Sequence, residues 1–144
     1  MFSKACEYAI RATIFIASES DKGKRASLKD IAREIDSPEA FTAKTLQKLS
    51  KSGIITSIKG AHGGFTVSPD NMDYIKVAQI VVAIDGDTVY KRCSLGLESC
   101  SEEHPCPFHS KFKPVRQELQ QIVENTSLKD LVTGLVSGDT FLKV

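Results

Sequence analysis

Cys93, Cys100 and Cys106 are separated by six and five residues, and His109 follows Cys106 by three. Ser94, Gly96, Ser99 and Ser101 lie between the thiols, in a stretch from Thr88 to Pro107 with no helical or strand period. Such a loop can wrap a compact inorganic centre and aim several thiolates inward. An iron–sulfur cluster tolerates this wide spacing, because its ligand sulfurs attach to different irons. A structural zinc site of three Cys and one His is also chemically acceptable, although it normally uses tighter C-x2-4-C pairs. Disulfides are disfavoured by a reducing compartment and by the odd number of thiols in the loop. A cluster-free sensor, in which one of these cysteines oxidises directly, remains open. So does a redox or metal enzyme with Cys106 and His109 as nucleophile and base, although no orienting third group can be named for it. Cys6 stands apart beside Glu7 and reads as core packing. His104, between Glu103 and Pro105, reads as a solvated loop residue.

A second constellation is basic. The net charge of +1 conceals a division: residues 1–66 carry 11 Lys and Arg against 7 Asp and Glu, residues 67–144 carry 8 against 11. From Lys22 to His62 the balance is 9 to 4. An anionic partner is therefore expected for the front half.

The elements that must position these residues follow from period and caps. Tyr8, Ala12, Phe15 and Ile16 form the apolar stripe of a first helix, from about Ser3 to Ser18. A second helix starts at a Ser27 cap and buries Leu28, Ile31 and Ile35. After a short break at Asp36-Ser37, Ser37 is expected to cap a third helix with Pro38 at its first position. Phe41, Thr45, Leu46 and Leu49 form its inner face. Glu39, Ala40, Ala43, Lys44, Gln47 and Lys48 form the outer one, and Gly53 can stop the helix. Extended runs at Ile54–Lys59 and Phe65–Ser68 flank the reversal Gly60-Ala61-His62-Gly63-Gly64. That glycine cluster lacks the Gly-Lys-Ser/Thr ending of a nucleotide loop and joins two strands, not a strand to a helix.

Two short helices followed by a hairpin with a basic tip describe a winged helix–turn–helix. The third helix can enter the roughly 12 Å major groove of duplex DNA. Lys44, Lys48 and Lys51 can reach phosphates, while Lys59, Gly60 and His62 at the wing tip can approach the minor groove. Further on, an apolar helix is expected from Tyr74 to Ile84. Phe108, Phe112, Val115, Leu119 and Ile122 then recur at heptad spacing, with Pro114 as a kink. A last helix, from Leu128 to about Val136, buries Leu131 and Leu135. Ser-Leu-Lys-Asp occurs at both 27–30 and 127–130, each time as a helix start.

Composition sets the outer bounds. With 144 residues, 41% hydrophobic and 26% charged, the chain can bury a core and is not disordered. The longest apolar run, Ile75–Ile84, contains Lys76 and Gln79 and is too short for a bilayer. Glu7 and Arg11 interrupt the N-terminal apolar run, so no signal peptide is expected. A cytoplasmic protein with no membrane contact and no small-molecule substrate is expected.

The chain resembles the small dimeric bacterial winged-helix regulators of the IscR/NsrR/CymR type. The resemblance is carried by Tyr8-Ala9-Ile10, Leu28–Ile35, Leu46–Ile55, the wing from Ser57 to Phe65, Ile80–Gly86 and the set Cys93, Cys100, Cys106, His109. It implies a mainly α fold with a small β-hairpin: a winged helix–turn–helix domain over residues 1–72, then a cluster-binding loop and dimerisation helices over 73–144. The first helix would also pack on the dimer helix. It further implies a homodimer paired through the helix from Phe108 onward, with double-stranded DNA as partner. A 2Fe–2S or 4Fe–4S cluster would rest on the three cysteines, its loss being the signal. The fourth ligand in that branch is either a histidine after the third cysteine or an acid on helix one of the partner subunit; here these are His109 and Glu7, with His109 favoured as the local donor. Two positions depart from the pattern. Lys59 stands where arginine is common, losing a flat guanidinium, and Ala43 has no polar reach.

Overall fold

Ser3 opens α1 (Lys4–Asp21): its side chain accepts the Cys6 N–H, and its own N–H and hydroxyl are held by Asp85. The computed structural model describes residues 1–143, and in it α1 is the central element. Against it pack α2 (Leu28–Glu34), α3 (Glu39–Lys51), α4 (Val77–Asp85) and α7 (Leu128–Ser137). Its small residues Ala9, Ala12 and Ala17 are fully buried and let these neighbours approach. Ala12 and Ile16 take the expected inner positions, while Tyr8 and Phe15 lie half-buried at the margin. The helix runs beyond Ser18 because the Ser18 and Ser20 hydroxyls bond back to Phe15 O and Ile16 O instead of breaking the turn.

The expected Ser37 cap is not formed. Asp36 takes the left-handed conformation at φ 52°, and the Ser37 N–H donates to Ala32 O at 2.9 Å. Ser37 is thereby used to close α2, its hydroxyl has no partner, and α3 begins one residue late with Pro38 as its N-cap. Thr42, Thr45, Leu46 and Leu49 form the buried face; Phe41 is 38% exposed, edge-on to Tyr8 at 5.6 Å. Burying Leu46 and Leu49 contributes about 1.5–3 kcal/mol each. Gly53 stops the helix at φ 74° as expected.

The hairpin strands are shorter than the extended runs: β1 (Thr56–Ile58) and β2 (Gly64–Thr66), antiparallel, with Ser57 opposite Phe65. Ile54, Ile55 and Val67 turn into the core and leave the sheet to a few residues. Ala26 pairs with Phe65 on the other side of β2, an extra bridge ahead of α2.

The apolar helix starts at Val77, not Tyr74. A turn of 3-10 helix at Pro69–Asn71 precedes it, Tyr74 is exposed, and Lys76 is extended, bridging to Ser127. A short helix not foreseen, α5 (Thr88–Lys91), follows Gly86. The long helix α6 (His109–Asn125) continues through Pro114. In α7 a Ser127/Asp130 capping box starts the helix, and Leu128 and Val132 are the fully buried residues; Leu131 and Leu135 are only half-buried. Among the described residues no helix is long and apolar enough to cross a membrane.

Candidate nucleic-acid interface and cysteine loop

α3 packs on α2 through its apolar face, so its outer face is free. Glu39, Ala40, Ala43, Lys44, Gln47, Lys48 and Lys51 are all exposed. Lys48 and Lys51 occupy the last turn, where cations complement the helix dipole. At the wing, the Gly63 N–H closes a turn on Gly60 O at 3.0 Å, leaving Lys59, Gly60, Ala61 and His62 exposed at the tip. A Cβ on Gly63 would stand 2.2 Å from Ile58 O, and one on Gly64 would stand 2.8 Å from Ala26 O; both positions require glycine. The wing root is fixed to α1 by Ser20, whose hydroxyl accepts the buried Val67 N–H at 3.0 Å.

Arg25 was not visible as a site residue in the sequence. Its Nη1 donates to the His62 carbonyl oxygen at 2.6 Å, so it braces the wing tip and adds a cation beside it. No period or motif marks it; only its place next to the bridging Ala26 brings it there.

The sequence set Cys93, Cys100, Cys106 and His109 is brought together as two pairs. Cys93 Sγ lies 3.6 Å from Cys106 Sγ, and Cys100 Sγ lies 3.3 Å from His109 Nδ1. Cys93 is buried; Cys100, Cys106 and His109 are half-buried. All cysteines are free thiols. Backbone hydrogen bonds at Leu95 and Leu97 hold the Cys93 thiol below its ordinary value, toward the ligating thiolate form. Among the described residues no three Cys, His, Asp or Glu side chains gather around one point. Three thiols and one imidazole, set in two pairs, are a donor set that an iron–sulfur centre accepts, and one that zinc also accepts.

The loop is tied to α6 along one helix face. Lys113 pairs with Glu102, Arg116 Nη2 donates to Cys100 Sγ at 3.0 Å, and Arg116 Nη1 donates to the Arg92 carbonyl oxygen at 2.8 Å. Arg116 was also missed, although it follows His109 by seven residues, two helical turns along the same face.

Glu7 is not brought to the loop donors within this chain. It is exposed and pairs with Lys4 Nζ at 3.3 Å. Neighbouring Cys6 is fully buried, as expected of a core residue, and burial, followed by the Asp85 carboxylate, pushes its thiol up to about 12. The seam residues Phe108, Phe112, Val115 and Ile122 are 39–58% exposed, and Leu119 is half-buried. Phe112, Val115, Leu119 and Ile122 also line a cleft of about 990 Å³ between α6, the start of α1 and α5.

Residues 2–134 match the Rrf2 family model, described as an iron-dependent transcriptional regulator. The chain is 31% identical over 134 residues to a putative HTH-type transcriptional regulator of Aquifex aeolicus, covering 92% of this chain and 91% of that protein. It is 26% identical to the HTH-type transcriptional regulator IscR of Photorhabdus laumondii, over 88% of this chain and 76% of that protein. In fold it is similar to CymR (YrzC), the global cysteine regulator of B. subtilis, with a TM-score of 0.74 and 20% identity over 92% of this chain and 96% of that one. Its fold is also similar to that of T. potens IscR, with a TM-score of 0.71 and 20% identity over 97% and 91% of the two chains. The family is one of DNA-binding regulators and not of enzymes, and the mainly α, winged-helix architecture agrees with it. The chain belongs to the Rrf2 family of transcriptional regulators.

Proposed function

We propose that this regulator acts as a cytoplasmic homodimer whose affinity for duplex DNA is set by an iron–sulfur cluster held by Cys93, Cys100, Cys106 and His109. The observation that carries this reading is the sorting of the four donors into two pairs, Cys93 with Cys106 and Cys100 with His109. A two-iron centre needs two protein donors on each iron, whereas a four-iron centre takes one donor per iron, so the pairing supports 2Fe–2S. Bound, the cluster supplies an oxidation-sensitive core that cross-links the loop.

The chain's own residues carry the rest. His109 sits in the first turn of α6 and Arg116 reaches back to the loop from the same face, so ordering the loop bears directly on α6. The seam of exposed Phe108, Phe112, Val115 and Ile122 with half-buried Leu119 supports pairing of α6 with its twin. Such pairing would present two α3 helices about 34 Å apart, one duplex turn, to a partly palindromic site. Glu39, Ala40, Ala43, Lys44, Gln47 and Lys48 would face the major groove, and Lys59, Gly60 and His62 the wing contact. Residues 1–72 are the DNA-binding unit and 73–144 the sensing and pairing unit, with α1 shared between them. A coupling of about 1–3 kcal/mol between the sites would change operator affinity about 5–150-fold.

Anaerobic purification tests the cofactor. Brown protein with matching iron and sulfide is expected; colourless protein with stoichiometric zinc would overturn the cluster. His109→Ala should lower iron retention and Glu7→Ala should not, since within this chain His109, and not Glu7, stands beside a loop thiol. A second reading, a zinc- or thiol-based sensor of the same fold, is supported by the 3.6 Å approach of Cys93 and Cys106.

A further inference from the structure

The three loop thiols are not equivalent. Cys93 and Cys106 face each other at 3.6 Å with no side chain between them. Cys100 is engaged elsewhere, by the His109 ring at 3.3 Å and the Arg116 guanidinium at 3.0 Å. Cys6 is fully buried on α1 beside Asp85. Only one pair is therefore poised to join.

We infer that the metal-free protein closes a specific Cys93–Cys106 disulfide when it meets a peroxide, leaving Cys100 as a free thiol. Of this pair, half-buried Cys106 meets the oxidant before buried Cys93. Its sulfur attacks the O–O bond, which breaks to give a sulfenic acid on Cys106 and one water. The Cys93 sulfur then attacks the Cys106 sulfur, the S–S bond forms, and the sulfenic oxygen leaves as a second water. Two thiols lose two electrons and two protons, and one hydrogen peroxide is reduced to two waters. The two sulfurs already lie 3.6 Å apart, so little movement is needed to bring them to bonding distance. Resting on the cluster reading, the consequence is a lock: two of the four donors are withdrawn, and a cluster cannot be rebuilt until a thiol reductant reopens the bond.

The test uses full-length protein, stripped of metal and reduced under anaerobic conditions, then treated with one equivalent of hydrogen peroxide. Free thiols are alkylated, and the chain is cut after glutamate. Cleavage at Glu98, Glu102 and Glu103 puts the three cysteines on separate peptides. The expected result is a cross-linked Cys93–Cys106 pair with Cys100 and Cys6 alkylated. Cys100→Ser should keep the link, and Cys93→Ser or Cys106→Ser should abolish it. A link through Cys100, or three alkylated loop thiols, would overturn the inference. Iron and sulfide content of a separately reconstituted sample reports on the cluster alone. A cluster with the wrong disulfide sinks this inference only, and the right disulfide with no cluster sinks the proposed cofactor only.

Discussion

Arg116 on α6 and Cys100 in the cysteine loop are joined side chain to side chain, Nη2 to Sγ at 3.0 Å. The second branch of the same guanidinium holds the Arg92 carbonyl just before the loop begins. One residue of the long helix thus grips the loop at its entry and at its middle thiol. Arg116→Ala removes both hydrogen bonds and should cost about 1–3 kcal/mol in urea unfolding, with faster amide exchange across residues 93–108. Arg116→Lys lacks the planar guanidinium fork that spans the two acceptors and should restore little. Unchanged exchange in the loop would show that the tie carries nothing.

The exposed lysines of α3 predict a salt signature. If Lys44 and Lys48 each neutralise a phosphate, Lys44→Ala and Lys48→Ala should each flatten the slope of log affinity against log salt by about 0.9. Both should weaken all sequences alike. Gln47→Ala should instead relax selectivity at one base pair, at about 1–3 kcal/mol. A parental salt slope in both lysine variants, measured by fluorescence anisotropy, would remove α3 from the interface.

The wing predicts a separation of binding from stability. Gly63→Ala forces a Cβ to 2.2 Å from Ile58 O and 2.9 Å from Gly60 O, so the tip must rearrange. Operator affinity should fall about tenfold or more, roughly 1.4 kcal/mol, while the urea midpoint stays near the parent because the tip is exposed. Arg25→Ala, which frees the His62 carbonyl, should show the same separation more weakly. Parental binding by Gly63→Ala would contradict a role for the wing.

The capping box of α7 predicts an acid limb. The Ser127 N–H, and then the Ser127 hydroxyl, hold the Asp130 carboxyl below the usual carboxylate range. A lowered value in the folded chain means that stability is fully present above the unfolded value, near pH 4, and is lost as pH falls through the folded value. Asp130→Asn should flatten this acid limb in urea midpoints followed from about pH 6 to 2. An unchanged limb would show that other carboxylates dominate.

Much of this architecture is legible in the chain because caps and periods are local signals. Ser27 and Ser127 each accept the N–H three residues on, as their repeated Ser-Leu-Lys-Asp implies. The break before α3 shows the limit. Ser37 followed by Pro38 reads as a cap, yet the closing of α2 on Ala32 O competes for the same residue and prevails. The bridge from Ala26 to Phe65 and the grips of Arg25 and Arg116 link positions far apart in the chain, and no period announces such contacts. Spacing alone marks Cys93, Cys100, Cys106 and His109 as a set; which thiol faces which partner depends on how α6 folds back against the loop.

The most direct measurement is operator affinity, under anaerobic conditions, for cluster-loaded parent, cluster-stripped parent and a triple variant with alanine at Cys93, Cys100 and Cys106. Loaded and stripped parent should differ about 5–150-fold, and the triple variant should not respond to cluster reconstitution. Three equal affinities would contradict control of DNA binding by this loop.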